Sequence, residues 1–125
     1  MSEEVVGHIK ELEMLSEYDG ETLVSDAENV ASEIGELKTA QIRRIFGEVK
    51  KMQMDFKKAD FDKNRVVLLK PKLAYATSRK RDVRTLQEVL SICIDKISAD
   101  KEQGKKDFEN FVNFFEAIVA YHRGR

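Results

Sequence analysis

Tryptophan is absent from this 125-residue chain, proline and cysteine occur once each, and glycine occurs six times. Each shortage excludes something. A sandwich or barrel of short strands needs Gly or Pro turn signals at close intervals, and these are missing, whereas 36% charged residues suit long amphipathic helices. One thiol, Cys93, permits no internal disulfide, and no charged-apolar-cleavage pattern opens the chain, so a reducing, cytoplasmic setting is expected. No apolar run reaches the about 18 residues that would predict a membrane span. Phosphate-binding and nucleophile signatures are also missing: there is no G-x-x-x-x-G-K-S/T, no G-x-G-x-x-G and no G-x-S-x-G. His8 and His122 lie outside any H-x-x-x-H spacing, and Cys93 has no partner at zinc-site distance in the sequence. No metal, cofactor or catalytic site is expected, and the chain reads as a non-enzymatic one.

What is present is charge, sorted along the chain. The formal net charge is -1, yet residues 1–37 hold eleven acids against one base, residues 38–84 fifteen bases against five acids, and residues 85–125 six bases against seven acids. Blocks of -10 and +10 create a field that draws a polyanion to one region and repels it from another, which an even mixture would not do.

Apolar periodicity then predicts an all-α fold, a compact bundle of about five helices over 25–37, 39–58, 65–78, 82–98 and 101–122. Residues 1–21 are read as an acidic N-terminal arm, a short marginal helix or mobile segment, and residues 22–125 as a single helical domain. Ser25 and Glu28 form a capping-box pattern for the first of the five helices, Thr39 is the expected cap of the second, and Asn64 and Asp82 are the expected caps of the third and fourth. Pro71 falls inside the third. Because Leu69 and Leu73 stay in phase across it with Val66 and Ala76, one helix bent at Pro71 is expected. The last helix has the strongest periodicity, Phe108, Phe111, Val112, Phe115, Ile118, Val119 and His122, and Phe114, Ala117 and Tyr121 widen its apolar arc. Such a helix is either central or shared with another subunit.

The cations fall in rows. In the second helix Arg43, Lys50 and Lys57 share a row free of carboxylates. Arg44, Lys51 and Lys58 alternate with Glu48 and Asp55, a mixed row expected to pair within the helix and remain a solvated face. In the third helix Arg65, Lys72 and Arg79 repeat every seven residues beside Tyr75, with Lys70 on the opposite flank and Arg81 and Arg84 following. Rows of this kind track a phosphate backbone, and with most aromatics committed to core stripes, Tyr75 is the main stacking candidate. Sequence-independent nucleic-acid contact is the economical expectation. Pro71 inside the would-be recognition helix argues against a helix-turn-helix.

Three stretches, Lys38-Thr-Ala-Gln-Ile-Arg-Arg44, Leu68-Leu-Lys-Pro-Lys-Leu-Ala-Tyr-Ala-Thr-Ser-Arg79 and Phe114-Phe-Glu-Ala-Ile-Val-Ala-Tyr-His122, together resemble the small subunit of type III-A CRISPR effector complexes, the CRISPR-associated Csm family. The resemblance spans about residues 36–123; Ser78 stands where family members often carry Gly. It implies a non-enzymatic helical subunit of an antiviral, RNA-guided complex, stacked in several copies beside the backbone subunits, near the large polymerase-like subunit, and lining the channel for guide and target RNA. By position it assigns Lys38, Arg43, Lys70, Lys72 and Arg79 to nucleic acid. Lys50, Arg65 and Arg81 join them from the cation pattern alone. The alternative is a helical dimerisation module using the aromatic last helix, with no nucleic-acid role.

Overall fold

Helix follows helix from Ser2 to Tyr121 in the computed structural model, which describes residues 2–35, 38–77 and 81–122 and, at 76–77 and 81–83, the backbone alone. The order is α1 (Ser2–Glu11), a 3-10 turn (Leu15–Glu17), α2 (Gly20–Glu33), α3 (Thr39–Lys58), α4 (Lys63–Val67), α5 (Leu69–Thr77), α6 (Arg81–Asp95) and α7 (Lys101–Tyr121), with no strand among the described residues.

Local chemistry sets the boundaries. Asp19, not Ser25, caps α2: its carboxylate accepts from the Thr22 amide at 3.2 Å, so the helix starts at Gly20 and the Ser25-Glu28 box lies inside it. The cap of α4 is Asp62, which accepts from the amide of Asn64, the residue expected to cap. Asp100 accepts from the Glu102 and Gln103 amides and starts α7. The expected Asp82 cap lies outside the described side chains.

The expected single helix bent at Pro71 is instead two helices, divided at Leu68, three residues before the proline. An α-helical residue 71 would donate to the carbonyl of Val67, and proline has no N–H to give and a ring that collides there. Accordingly α4 ends at Val67, Leu68 forms the joint, and Pro71 sits in the first turn of α5, where its missing donor is harmless. Leu68 stays near helical geometry (φ -67°, ψ -10°), which keeps Val66, Leu69 and Leu73 on one buried face across the joint.

Helix α7 is central, lying against α2, α3, α6 and the 3-10 turn. Phe46 meets Phe115 at 5.2 Å between ring centroids and Phe56 meets Phe108 at the same distance, so α3 and α7 run antiparallel. Phe114, which widened the arc, is fully buried against Tyr18 on the 3-10 turn. The breadth of α7 is thus used largely inside the chain, with Tyr121 remaining exposed.

The acidic N-terminal segment packs into the core through its apolar residues. Val5 and Ile9 of α1 are fully buried against α6 and α2, and Lys96 Nζ donates to the carbonyls of Lys10 and Leu12, placing a cation at the negative end of α1. Phe61, in the stretch expected to be only a turn, is buried over Gly104.

Candidate nucleic-acid interface

Helix α3 buries Ile42, Val49, Met52 and Phe56 and turns its other side to solvent. Arg43, Arg44, Lys51, Lys57 and Lys58 are exposed there, and among the described residues none of them has a carboxylate within ion-pair distance. Lys38, and not the expected Thr39, stands at the N-cap position of α3; it is exposed as well and makes no side-chain cap. Lys50, on the flank, is half-buried with its ammonium 5.9 Å from the Phe46 ring centroid.

The mixed row does not pair within its helix. Glu48 Oε2 lies 2.7 Å from Lys72 Nζ of α5, and Asp55 Oδ2 lies 2.9 Å from Arg65 of α4. Both partners step by seven residues, in opposite chain directions, so the two pairs are rungs of a ladder between antiparallel helices. The sequence suggested the carboxylates and the cations, but it could not say that rungs join different helices. The row is solvent-exposed as expected, but the expected pairing within the helix is replaced by pairing to α4 and α5. With Glu48 and Asp55 ion-paired across the groove, Arg44, Lys51 and Lys58 have no carboxylate within ion-pair distance among the described residues, and Glu48 acts on Lys51 only at longer range. Lys72, hydrogen-bonded to Glu48, holds that carboxyl below its usual range, its own attraction and that of Lys51 adding to the effect.

The residues singled out in the sequence therefore divide. Lys38 and Arg43 are exposed on or beside α3. Lys50 is held against Phe46. Arg65 is paired to Asp55 and lies 5.5 Å over the Phe56 ring. Lys72 is paired to Glu48, and Lys70, on the other flank of α5, pairs with Asp95 of α6. Arg79 lies outside the described residues, as does the side chain of Arg81. Residues passed over in the sequence, Arg44, Lys51 and Lys58, are the ones the ladder leaves exposed. Their signal was the seven-residue register shared by 48–55 and 65–72, legible only with an assumed antiparallel pairing.

Elsewhere, a polar cluster joins α1 to α2, with Asp26 and Tyr18 buried and His8 partly exposed. Asp26 is almost fully buried and accepts from Tyr18 Oη, while His8 Nδ1 lies 2.9 and 3.1 Å from its two oxygens. The hydrogen bond to Asp26 raises the His8 pKa, with Glu4 and Glu11 adding attraction. Burial keeps Tyr18 and Cys93 firmly protonated, reinforced by the Asp26 carboxylate. Among the described residues there is no group of three or more His, Cys, Asp or Glu side chains placed to hold a metal, and no helix is long and apolar enough to cross a membrane. What this molecule presents to a ligand is a cationic helix face beside a ladder of exposed ion pairs.

A family model described as Csm2 Type III-A matches residues 17–125. No curated protein and no solved structure gives a significant match.

Proposed function

We propose that this chain, which belongs to the Csm2 family of small subunits of type III-A CRISPR effector complexes, contacts guide and target RNA through the outer face of α3 and the adjoining α4–α5 surface, without reading sequence. The carrying observation is the run of exposed cations Arg43, Arg44, Lys51, Lys57 and Lys58 on one helix, relieved of its own carboxylates by the ladder. Phosphates are the natural counter-charge for such a run, and a guide–target duplex is recognised through backbone shape while pairing supplies the sequence. Family members are structural subunits of a multi-subunit effector. The chain's own role is then to stack in copies beside the backbone and large subunits in the cytoplasm, with no chemistry of its own.

The cations in ion pairs belong to the same surface. The Lys72–Glu48 and Arg65–Asp55 pairs are about half exposed, and pairs of that kind are worth roughly 0.2–1 kcal/mol, so a phosphate can compete for either cation. Lys38, Lys50, Lys70, Arg79 and Arg81 complete the proposed contact set. The dimer reading drew on the apolar breadth of α7, and burial of Phe108, Phe111, Phe114 and Phe115 within the chain favours the RNA reading.

The test is RNA affinity of the purified chain at low and physiological salt, with Arg43, Arg44 and Lys51 replaced by Gln singly and together. The combined variant should weaken binding and flatten the salt dependence by about 0.7 per lost phosphate contact on single strands, or about 0.9 on a duplex. Unchanged affinity at low salt would remove α3 as the contact surface.

A further inference from the structure

Among the described residues, three of the six exposed large hydrophobic side chains fall within one short stretch: Val67 at 37%, Leu68 at 60% and Tyr75 at 89% exposure. Scattered singly such residues need no explanation. These are not scattered. Leu68, at the joint before α5, and Tyr75, on α5, stand four residues before and three after Lys72, and the near-helical backbone at Leu68 keeps the three on one side. Lys72 in turn reaches Glu48 of α3 at 2.7 Å, and Arg44 and Lys51 lie four residues before and three after Glu48. The Glu48–Lys72 rung is thus a hinge line, with an aliphatic-aromatic patch on one side and unpaired cations on the other.

Resting on the RNA reading above, we infer that this patch is a stacking platform for unpaired nucleobases, with Tyr75 as the ring against which a base lies and Arg44 and Lys51 holding the neighbouring phosphates. The charge argument chooses the occupant. A ligand covering both sides of the rung must offer a flat apolar face and dense negative charge a short distance apart, and a single RNA strand alternates these along its length. A fully paired duplex offers the charge but keeps its base faces stacked within the helix, so Tyr75 distinguishes the two.

The experiment compares an unstructured oligouridine with a fully paired RNA duplex of equal length, titrated over a range of salt against the parent chain, Tyr75→Ala, Tyr75→Phe and Lys51→Gln. Tyr75 is exposed, and helical content by circular dichroism confirms that the variants fold. Loss of one base stack weakens single-strand binding about 5- to 150-fold. Tyr75→Ala should show that loss on oligouridine with an unchanged salt slope and no loss on the duplex. Tyr75→Phe should restore binding, and Lys51→Gln should lower the slope on both. If the parent binds oligouridine in a salt-sensitive manner and Tyr75→Ala binds equally well, the platform is refuted while the phosphate-contacting face stands. If the parent binds neither RNA at low salt, the RNA reading fails and the platform with it. If Tyr75→Ala abolishes self-association and leaves RNA affinity intact, the patch belongs to a second copy of the chain and the inference is wrong.

Discussion

Gly104 shows how narrowly single positions are constrained. A Cβ there would stand 2.3 Å from Phe61 Cε2 and 2.4 Å from the Ser98 carbonyl oxygen, and the backbone oxygen cannot move aside cheaply. Gly104→Ala should therefore destabilise by about 1–3 kcal/mol or more, despite its better helix propensity, seen as a lowered melting temperature. Asp107 is the polar counterpart. Fully buried, it accepts from the Ser16 and Ser98 amides and from Gln103 Nε2, each at 2.9 Å, and so ties the 3-10 turn to the start of α7. Asp107→Ala should cost about 2–4 kcal/mol, since stranded donors lose partners that water does not readily replace. His8 predicts a pH effect. Its folded pKa is raised, so the stabilisation from the His8–Asp26 contact is full below the ordinary histidine pKa and is lost as pH rises through the folded value. Denaturation midpoints of the parent should fall across that window from acid to base, and His8→Gln should flatten the dependence. A parent profile that rises instead would contradict the assigned contact.

At the scale of elements, the ladder between α3 and α4–α5 gives a prediction in which stability and binding separate. Glu48→Gln removes a rung worth roughly 0.2–1 kcal/mol but leaves Lys72 unneutralised, so RNA affinity should rise while the melting curve barely shifts. Equal affinity of parent and variant would mean that RNA does not approach this groove. The same ladder marks where the sequence was legible and where it was not. Helix positions followed from apolar spacing, because Ile42, Val49, Met52 and Phe56, or Phe108, Phe111 and Phe115, must face a core wherever that core is. Pairing between helices was not legible: Glu48 and Lys51 look like partners along one helix, and only folding brings Lys72 to Glu48. Caps failed for a related reason, since Asp19 and Ser25 are both good N-caps by type and only the folded chain shows that Asp19 accepts from the Thr22 amide. In α1 the apolar pattern of Val5 and Ile9 is too short to predict packing by itself, yet both residues are fully buried.

Over the whole molecule, the -10 block of the first 37 residues and the +10 block of residues 38–84 belong to one folded chain, since α1 and α2 pack into the same core as α3 through α7. Deleting α1 would uncover that core, so the field of the acidic block is better tested with the fold intact. Replacing the exposed Glu3, Glu4 and Glu11 by Gln should strengthen RNA binding at low salt and have little effect at high salt, where charges beyond a Debye length of about 10 Å or less are screened. Unaltered affinity would confine the electrostatics to the α3 surface itself.

The most direct test of that surface is the protection of individual lysines from acetylation, read by mass spectrometry with and without an excess of RNA at low salt. Lys51, Lys57 and Lys58 on α3 and Lys105 and Lys106 on α7 are all exposed in the free chain, which makes the two α7 lysines an internal control. RNA should protect the α3 lysines and leave those of α7 reactive. Protection of Lys105 and Lys106 with Lys51, Lys57 and Lys58 left reactive would place the RNA on another face and contradict the account.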